Sequence, residues 1–360
     1  MNPTQKLIIK MKFSSMNQLI LGLLTCLFLW SCQPDKTISG VKVIPLLQGD
    51  FSIRAVETVS VHEIWYATNK GKVGVYNSKE FNEIVLHHND SLLHFRAIAH
   101  NGTHAFALTI DNPALLYKFT YDDSQISSAK LVYQEEGSGV FYDAMGFWNE
   151  KEGIAVGDPI NGCLSIIITR DGGNTWVKVD CENLPHVVDG EALFAASNGS
   201  LTLKNDQTYV ATGGSQARVF KSPDKGVTWT VVTTPLTQGS AMSGIFSMDQ
   251  YDRDQLVIFG GDWADQDNNT NNKAYSKDGG ATWTLMSPSS GPGYRSSVRF
   301  IPGTRGKGLI AVGSKGISVS HNKGKDWQQI SDASIYTLRF VGDSVAYGGG
   351  PGQFVKLNFN

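Results

Sequence analysis

The chain has 360 residues, with 31 Lys and Arg against 33 Asp and Glu, eight tryptophans and 38 glycines. A balance this close to neutral lacks the basic excess that nucleic-acid binding requires, so nucleic acid is excluded as an expected partner. The glycines, with no amphipathic helical stretch after the first thirty or so residues, call for many short strands joined by tight turns.

Residues 1–31 differ in character from the rest of the chain. Lys6, Lys10 and Lys12 form a basic leader, and Leu19 to Trp30 is an apolar run of twelve residues. A bilayer span needs about 20, so the run is expected to be an export signal that is removed. Its end, Leu29-Trp30-Ser31-Cys32, resembles a bacterial lipobox. That resemblance implies a lipidated Cys32 as the first mature residue, contact with the membrane through the lipid alone, and a place in the bacterial cell envelope on its periplasmic or surface face. An ordinary secretory signal followed by a chance cysteine is the alternative. Residues 32–40 read as a linker. Without the leader's three lysines the balance is 28 basic against 33 acidic residues.

From residue 41 onward the chain repeats itself. Thr169-Arg170-Asp171-Gly172-Gly173-Asn174-Thr175-Trp176 returns as Ser222 to Trp229, as Ser276 to Trp283 and, altered, as Ser320 to Trp327. The pattern is [ST]-x-[DN]-x-G-x-[TD]-W, and the first three copies are spaced by 53 and 54 residues. A period near 50 is the mark of a solenoid or propeller. Each copy follows an apolar run, a glycine turn and a second run, as in Gly153 to Gly157 then Leu164 to Thr169. The copy at Ser276 to Trp283 follows Leu256 to Phe259, and three units without the tryptophan keep the same skeleton around Ile64 to Ala67, His104 to Leu108 and Val345 to Tyr347. Counting all units predicts a seven-bladed β-propeller of four-stranded antiparallel blades over residues 41–360. The last unit stops after three strands, and Val41 to Leu47 is similar to a fourth-strand segment, so the N-terminal strand is expected to close the last blade.

Within each copy the Asp is suited to accept backbone hydrogen bonds, the Gly to take a positive φ, and the Trp to fill space between sheets. These turns, carrying Asp171 and Trp176, Asp224 and Trp229, Asp278 and Trp283, and Asn322 and Trp327, resemble the Asp-box, or BNR, repeat of sialidase-type propellers. The resemblance implies an architectural role. Asn322 and Asp326 depart from the pattern, and a weaker turn is expected there. Cys163 and Cys181 lie symmetrically about Gly172 and are expected to form a disulfide across that hairpin.

In a propeller the innermost strands start at one mouth of a central channel. Aligning them places Arg54, Arg96, Asp143, Glu191, Ser243, Ser296 and Tyr336 at equivalent positions, with Arg295 one residue before the ring. These charges either pair with one another or form a pocket in which guanidinium forks hold a carboxylate-bearing protein or glycan. The sialidase resemblance implies catalytic roles for Tyr336, Glu191 and Asp143 beside the arginines, although the family's Arg-Ile-Pro motif is missing. The blade count, export signal and Gly-Gly turns are closer to the photosystem II stability and assembly factor family, whose members are non-enzymatic binding propellers. No nucleotide-binding glycine loop, Cys-x-x-Cys pair or metal-ligand spacing is present, so neither cofactor nor metal is expected. The favoured reading is an envelope scaffold that engages a protein or glycan at the channel mouth. A sialidase-like glycoside hydrolase is the runner-up, and a purely structural envelope protein the third possibility.

Overall fold

The computed structural model describes residues 36–360, so the leader and Cys32 lie outside the described residues. Strands are short and interrupted by glycine turns, and many are buried along their whole length. Cys163–Thr169, Leu309–Gly313 and Gly316–Ser320 have every residue buried. That pattern arises because each sheet is covered on both faces by its neighbours, which removes the apolar/polar alternation of a half-exposed strand.

The strands form six multistranded antiparallel sheets and one two-stranded ribbon among the described residues. Counted by hydrogen-bonded sheets the propeller therefore has six blades, which corrects the seven separate four-stranded blades expected from the repeats. The reason is the continuity of two long strands. Val41–Ser60 pairs first with the last repeat unit and then with the first, and Val345–Phe359 runs unbroken through two strands of the last unit, so the units counted first and last share one six-stranded sheet. A second sheet also reaches six strands, because the short pairs Glu191–Ala192 and Gly213–Gly214 add to the edge of Ser243–Gln250.

The chain ends pair with each other. Val41 faces Phe359, Val43 faces Leu357 and Pro45 faces Val355 across an antiparallel ladder. This joins residues more than 300 apart in sequence and leaves no open edge where the ring begins and ends.

The repeated turns connect the third and fourth strands of their sheets. In the first, Asp171 Oδ1 accepts from the amides of Asn174 (2.9 Å) and Thr175 (3.0 Å), and the Thr175 hydroxyl donates to Oδ2 at 2.7 Å. The Thr169 hydroxyl donates to Asp171 at 2.9 Å and accepts from Gly173 N at 2.9 Å. Gly173 takes φ 75°, where a Cβ would fall 2.3 Å from the Phe106 ring, so only glycine fits. The indoles pack between successive sheets: Trp176 lies edge-on to Phe106 and Phe147, which belong to two different sheets. Trp229, Trp283 and Trp327 occupy the three following inter-sheet cores.

The fourth copy keeps its turn by exchanging roles. Asn322 Oδ1 accepts from Asp326 N at 2.9 Å, while Asn322 Nδ2 donates to Asp326 Oδ2 at 2.8 Å. The donor and acceptor that Thr and Asp supply elsewhere are reversed, so the expected weakness is offset. Cys163 and Cys181 are disulfide-bonded, with Cα atoms 5.6 Å apart.

Candidate functional site

The innermost strands carry β-bulges at matching places, between Ile53 and Ala55, Phe95 and Ala97, Tyr142 and Ala144, and Ile245 and Ser247. A bulge leaves one residue out of the ladder and re-aims its side chain. Those residues are Arg54, Arg96, Asp143 and Phe246. Ser296 and Tyr336 precede the ladders of Ser297–Phe300 and Thr337–Phe340 at the same position, donating their amides to Val312 and Gly349. Arg54, Arg96, Asp143, Ser296 and Tyr336 thus hold the predicted register, whereas Ser243 and Glu191 do not. Phe246 replaces Ser243. Glu191 falls outside the register because the inner strand of that sheet is Leu201–Lys204, which begins ten residues later.

The register error has a structural cause. Between Glu191 and Leu201 the chain makes a detour through the axis of the ring. Ala195 O accepts from Arg96 Nη1 at 3.4 Å and Ala196 O from Arg54 Nη1 at 3.2 Å. Ser197 Oγ donates to Ser296 O at 2.6 Å, and Ser197 O accepts from Thr337 Oγ1 at 3.1 Å. Asn198 donates to Ile98 O and Met145 O and accepts from Met145 N. Gly199 O accepts from Met248 N. Consecutive residues that touch inner strands all around the ring must lie on its axis, and Ala195, Ala196, Ser197, Asn198 and Ser200 are all buried. The central channel is plugged, and its two mouths are separate.

The first mouth holds Arg54, Arg96 and Tyr336. The Arg54 guanidinium lies 4.0 Å from the centre of the Tyr336 ring, a cation–π contact. Arg96 Nε donates to His94 Nε2 at 3.1 Å. Burial, then the Arg96 charge, pushes His94 down to about 4, so at neutral pH it is an uncharged acceptor. Burial and the neighbouring Arg54 lower Arg96 to about 10, which leaves it cationic. Among the described residues neither guanidinium makes a salt bridge to a carboxylate. Beside them Phe194 stacks on Phe246 with centroids 4.0 Å apart, and Phe246 meets Tyr294 edge-on at 4.7 Å. The mouth is therefore cationic and aromatic, suited to an anionic group attached to a planar or apolar one.

The other predicted residues lie elsewhere. Asp143 is fully buried, with neither carboxyl oxygen hydrogen-bonded among the described residues, close enough to Asp158 and Arg96 to feel both charges. Glu191 is buried and forms an ion pair with Arg218, and it accepts from Thr212 Oγ1 and Val188 N. Arg295 is 2% exposed and turns into its own sheet, donating to Ser318 Oγ at 3.1 Å, Gln329 Oε1 at 3.3 Å and Tyr294 O. Tyr336, Glu191 and Asp143 do not assemble into one cluster, since Glu191 is held by Arg218. Phe194, Phe246, Tyr294 and His94 were missed. Their signal was available only in part: Phe246 and His94 sit at or beside the ring register, whereas Phe194 arrives from the plug.

No protein-family model matches the chain, and no curated protein matches its sequence. Solved structures match its fold. YCF48 bound to D1 peptide aligns with 12% identity and a TM-score of 0.63 over 91% of this chain and 98% of that one. YCF48 from Cyanidioschyzon merolae aligns with 12% identity and a TM-score of 0.59 over 89% and 99%. The WD40 repeats of RRP9 align with 11% identity and a TM-score of 0.61 over 91% and 99%. At these identities the likeness is one of fold: all-β and propeller.

Proposed function

We propose that this chain is a non-enzymatic binding scaffold of the bacterial cell envelope, held to a membrane through a lipidated Cys32, that grips an acidic segment of a partner protein at the Arg54–Arg96–Tyr336 mouth. The four repeated turns are read as Asp-boxes with an architectural role, since their polar groups are used up within the turn and their indoles within the core.

The observation that carries the reading is the state of the two arginines. Their hydrogen bonds go to Ala195 O, Ala196 O and His94, none of which neutralises a charge. Two adjacent, partly buried cations without a salt-bridged carboxylate among the described residues repel each other and favour an incoming anion, although the charges of Asp111 and Asp143 reach Arg96. The flanking aromatic stack favours a peptide side chain next to that anion. A structure of the same fold, YCF48, is bound to a D1 peptide. Enzymatic glycoside cleavage finds no such support, because Glu191 is committed to Arg218.

The test is binding of the full chain, purified in detergent, to arrays of acidic, neutral and basic peptides and of carboxylated glycans. Acidic peptides should be retained, and the Arg54→Ala/Arg96→Ala double variant should lose at least about tenfold in affinity, the order expected for losing charged hydrogen bonds. Equal retention of basic peptides, or full binding by the folded double variant, would refute the proposal. Preference for the glycans would transfer the site to a carbohydrate ligand.

A further inference from the structure

The plug leaves a second cavity at the opposite end of the axis, away from Arg54 and Arg96. It lies three residues further along the inner strands, where Glu57, Asp249, Arg299 and Arg339 replace Arg54, Phe246, Ser296 and Tyr336. Its volume is about 280 Å³. That is just under the ~300–1,000 Å³ of sites for drug-sized ligands, so it suits a solute of amino-acid size.

The wall has two halves. Glu57, Asp249, Arg299 and Arg339 form a charged half, and Met145, Phe147, Leu201 and Leu203 an apolar one. Most of the charged groups are already engaged. Arg339 donates to Leu338 O at 3.0 Å, Thr337 Oγ1 at 3.3 Å and Asn198 O at 3.5 Å. Arg299 Nη1 donates to Met248 O at 3.1 Å and Asp249 Oδ1 at 3.4 Å, while Asp249 Oδ2 accepts from Phe300 N at 2.7 Å. Two groups are left over among the described residues. Arg299 Nε is buried without an acceptor. The Glu57 carboxyl makes no hydrogen bond, although the charges of both arginines reach it.

We propose that this cavity binds a small zwitterion, an α-amino acid with an apolar side chain, through its ammonium on Glu57 and its carboxylate on Arg299. The charge pattern selects this class. Two guanidiniums and two carboxylates sum to zero, so a simple anion or cation gains little net attraction, whereas a dipole finds a partner for each end. The unpartnered groups are one acid and one donor, as a zwitterion requires, and buried polar groups left without partners are costly until something pairs with them. The apolar half accepts the side chain. Burial raises Glu57 above the ordinary carboxylate range, and an ammonium beside it would reverse that shift. His100, which also lines the cavity, is held by Tyr121 at 2.7 Å, and burial lowers it from the ordinary imidazole value.

The site is independent of the peptide-binding mouth and is tested separately. Calorimetric titration of the full chain with L-leucine, L-methionine and L-phenylalanine should detect binding by at least one. The best binder is then compared with its two single-charge isosteres; for L-leucine these are 4-methylpentanoate and 3-methylbutylamine. Each isostere should bind at least about tenfold more weakly, and Glu57→Gln should lose at least about tenfold for the amino acid. Absence of binding by all three amino acids overturns the proposal. So does an isostere that binds as well as the amino acid, a comparison that needs no variant and stands even if Glu57→Gln fails to fold. Undiminished binding by folded Glu57→Gln overturns it as well.

Discussion

Asp143 and Asp158 are two carboxyls set beneath the cationic mouth in a setting that disfavours their charge. Burial pushes Asp158 up to about 6, partly opposed by the hydrogen bond from Leu193 N at 2.8 Å. Asp143 is raised well above its ordinary value, by burial first and then by the charge of Asp158. A carboxyl raised on folding contributes stability that is complete below its unfolded value near about 4 and is lost as the pH climbs through its folded value. For Asp158 that window runs from about 4 to about 6, and the difference is worth up to about 3 kcal/mol. Asp158→Asn keeps an acceptor for Leu193 and removes the charge. It should stabilise the protein at pH 7 by about 1–3 kcal/mol and reduce the stability lost between pH 4 and 6. Denaturant unfolding at pH 4, 5, 6 and 7 measures both quantities; a variant no more stable than the native chain at pH 7 would show that Asp158 is not strained. The sequence placed Asp143 in the ring correctly. That no donor reaches it depends on where Arg96 turns, which is toward His94, and no local pattern encodes that.

At the scale of elements, the plug decides what the two mouths can do. Asn198 anchors it with three hydrogen bonds to two different inner strands. Asn198→Ala would leave Met145 N and Ile98 O buried without partners, at a cost of about 2–4 kcal/mol. Asn198→Asp would keep the acceptor but lose both donations and bury a charge, so it should be destabilising too. Chemical denaturation of the two variants tests this, and a loss below about 0.5 kcal/mol in both would mean that the segment is held by its neighbours rather than by Asn198. The plug was illegible because Ala195-Ala196-Ser197-Asn198-Gly199-Ser200 has neither period 2 nor period 3.6. Small residues are what a crowded axis admits, and they look like a loop. The same gap misplaced Glu191, which precedes the detour, onto the inner ring. The repeated turns were legible residue by residue because their bonds are local, within four residues of the Asp; only the Asn322–Asp326 exchange needed coordinates to be seen as a compensation.

For the whole molecule, stability depends on joining the two ends of the chain. The ladder from Val41–Phe359 to Gln48–Gln353 covers what would otherwise be a long, apolar strand edge. Deleting residues 37–48 exposes the backbone of Gln353 to Phe359 together with the core that Ile38 and Val43 cover, including Leu338, Val355 and Leu357. The deletion variant is expected to aggregate or form intermolecular sheet, and size-exclusion chromatography with light scattering should detect it. A monomeric variant with an unchanged unfolding temperature would show that the ring does not need its closing strand. The pairing of the ends was readable from the similarity of Val41 to Leu47 to a fourth strand. The number of blades was not, because a repeat counts units of sequence whereas a blade is counted by continuous hydrogen bonding, and Val41–Ser60 carries that bonding across a unit boundary.

The sequence by itself determined the all-β repeat, the turns that punctuate it, the disulfide and the closure of the ring, since each follows from spacing, side-chain size and short-range hydrogen bonding. Only the tertiary structure decided which charges meet. It turned Arg295 and Glu191 away, brought Arg54 onto Tyr336, and blocked the channel so that two chemically different mouths face opposite ways. The physical reason is that charge partners are chosen by distance through space, and in a ring of sheets the residues nearest the axis come from every part of the chain.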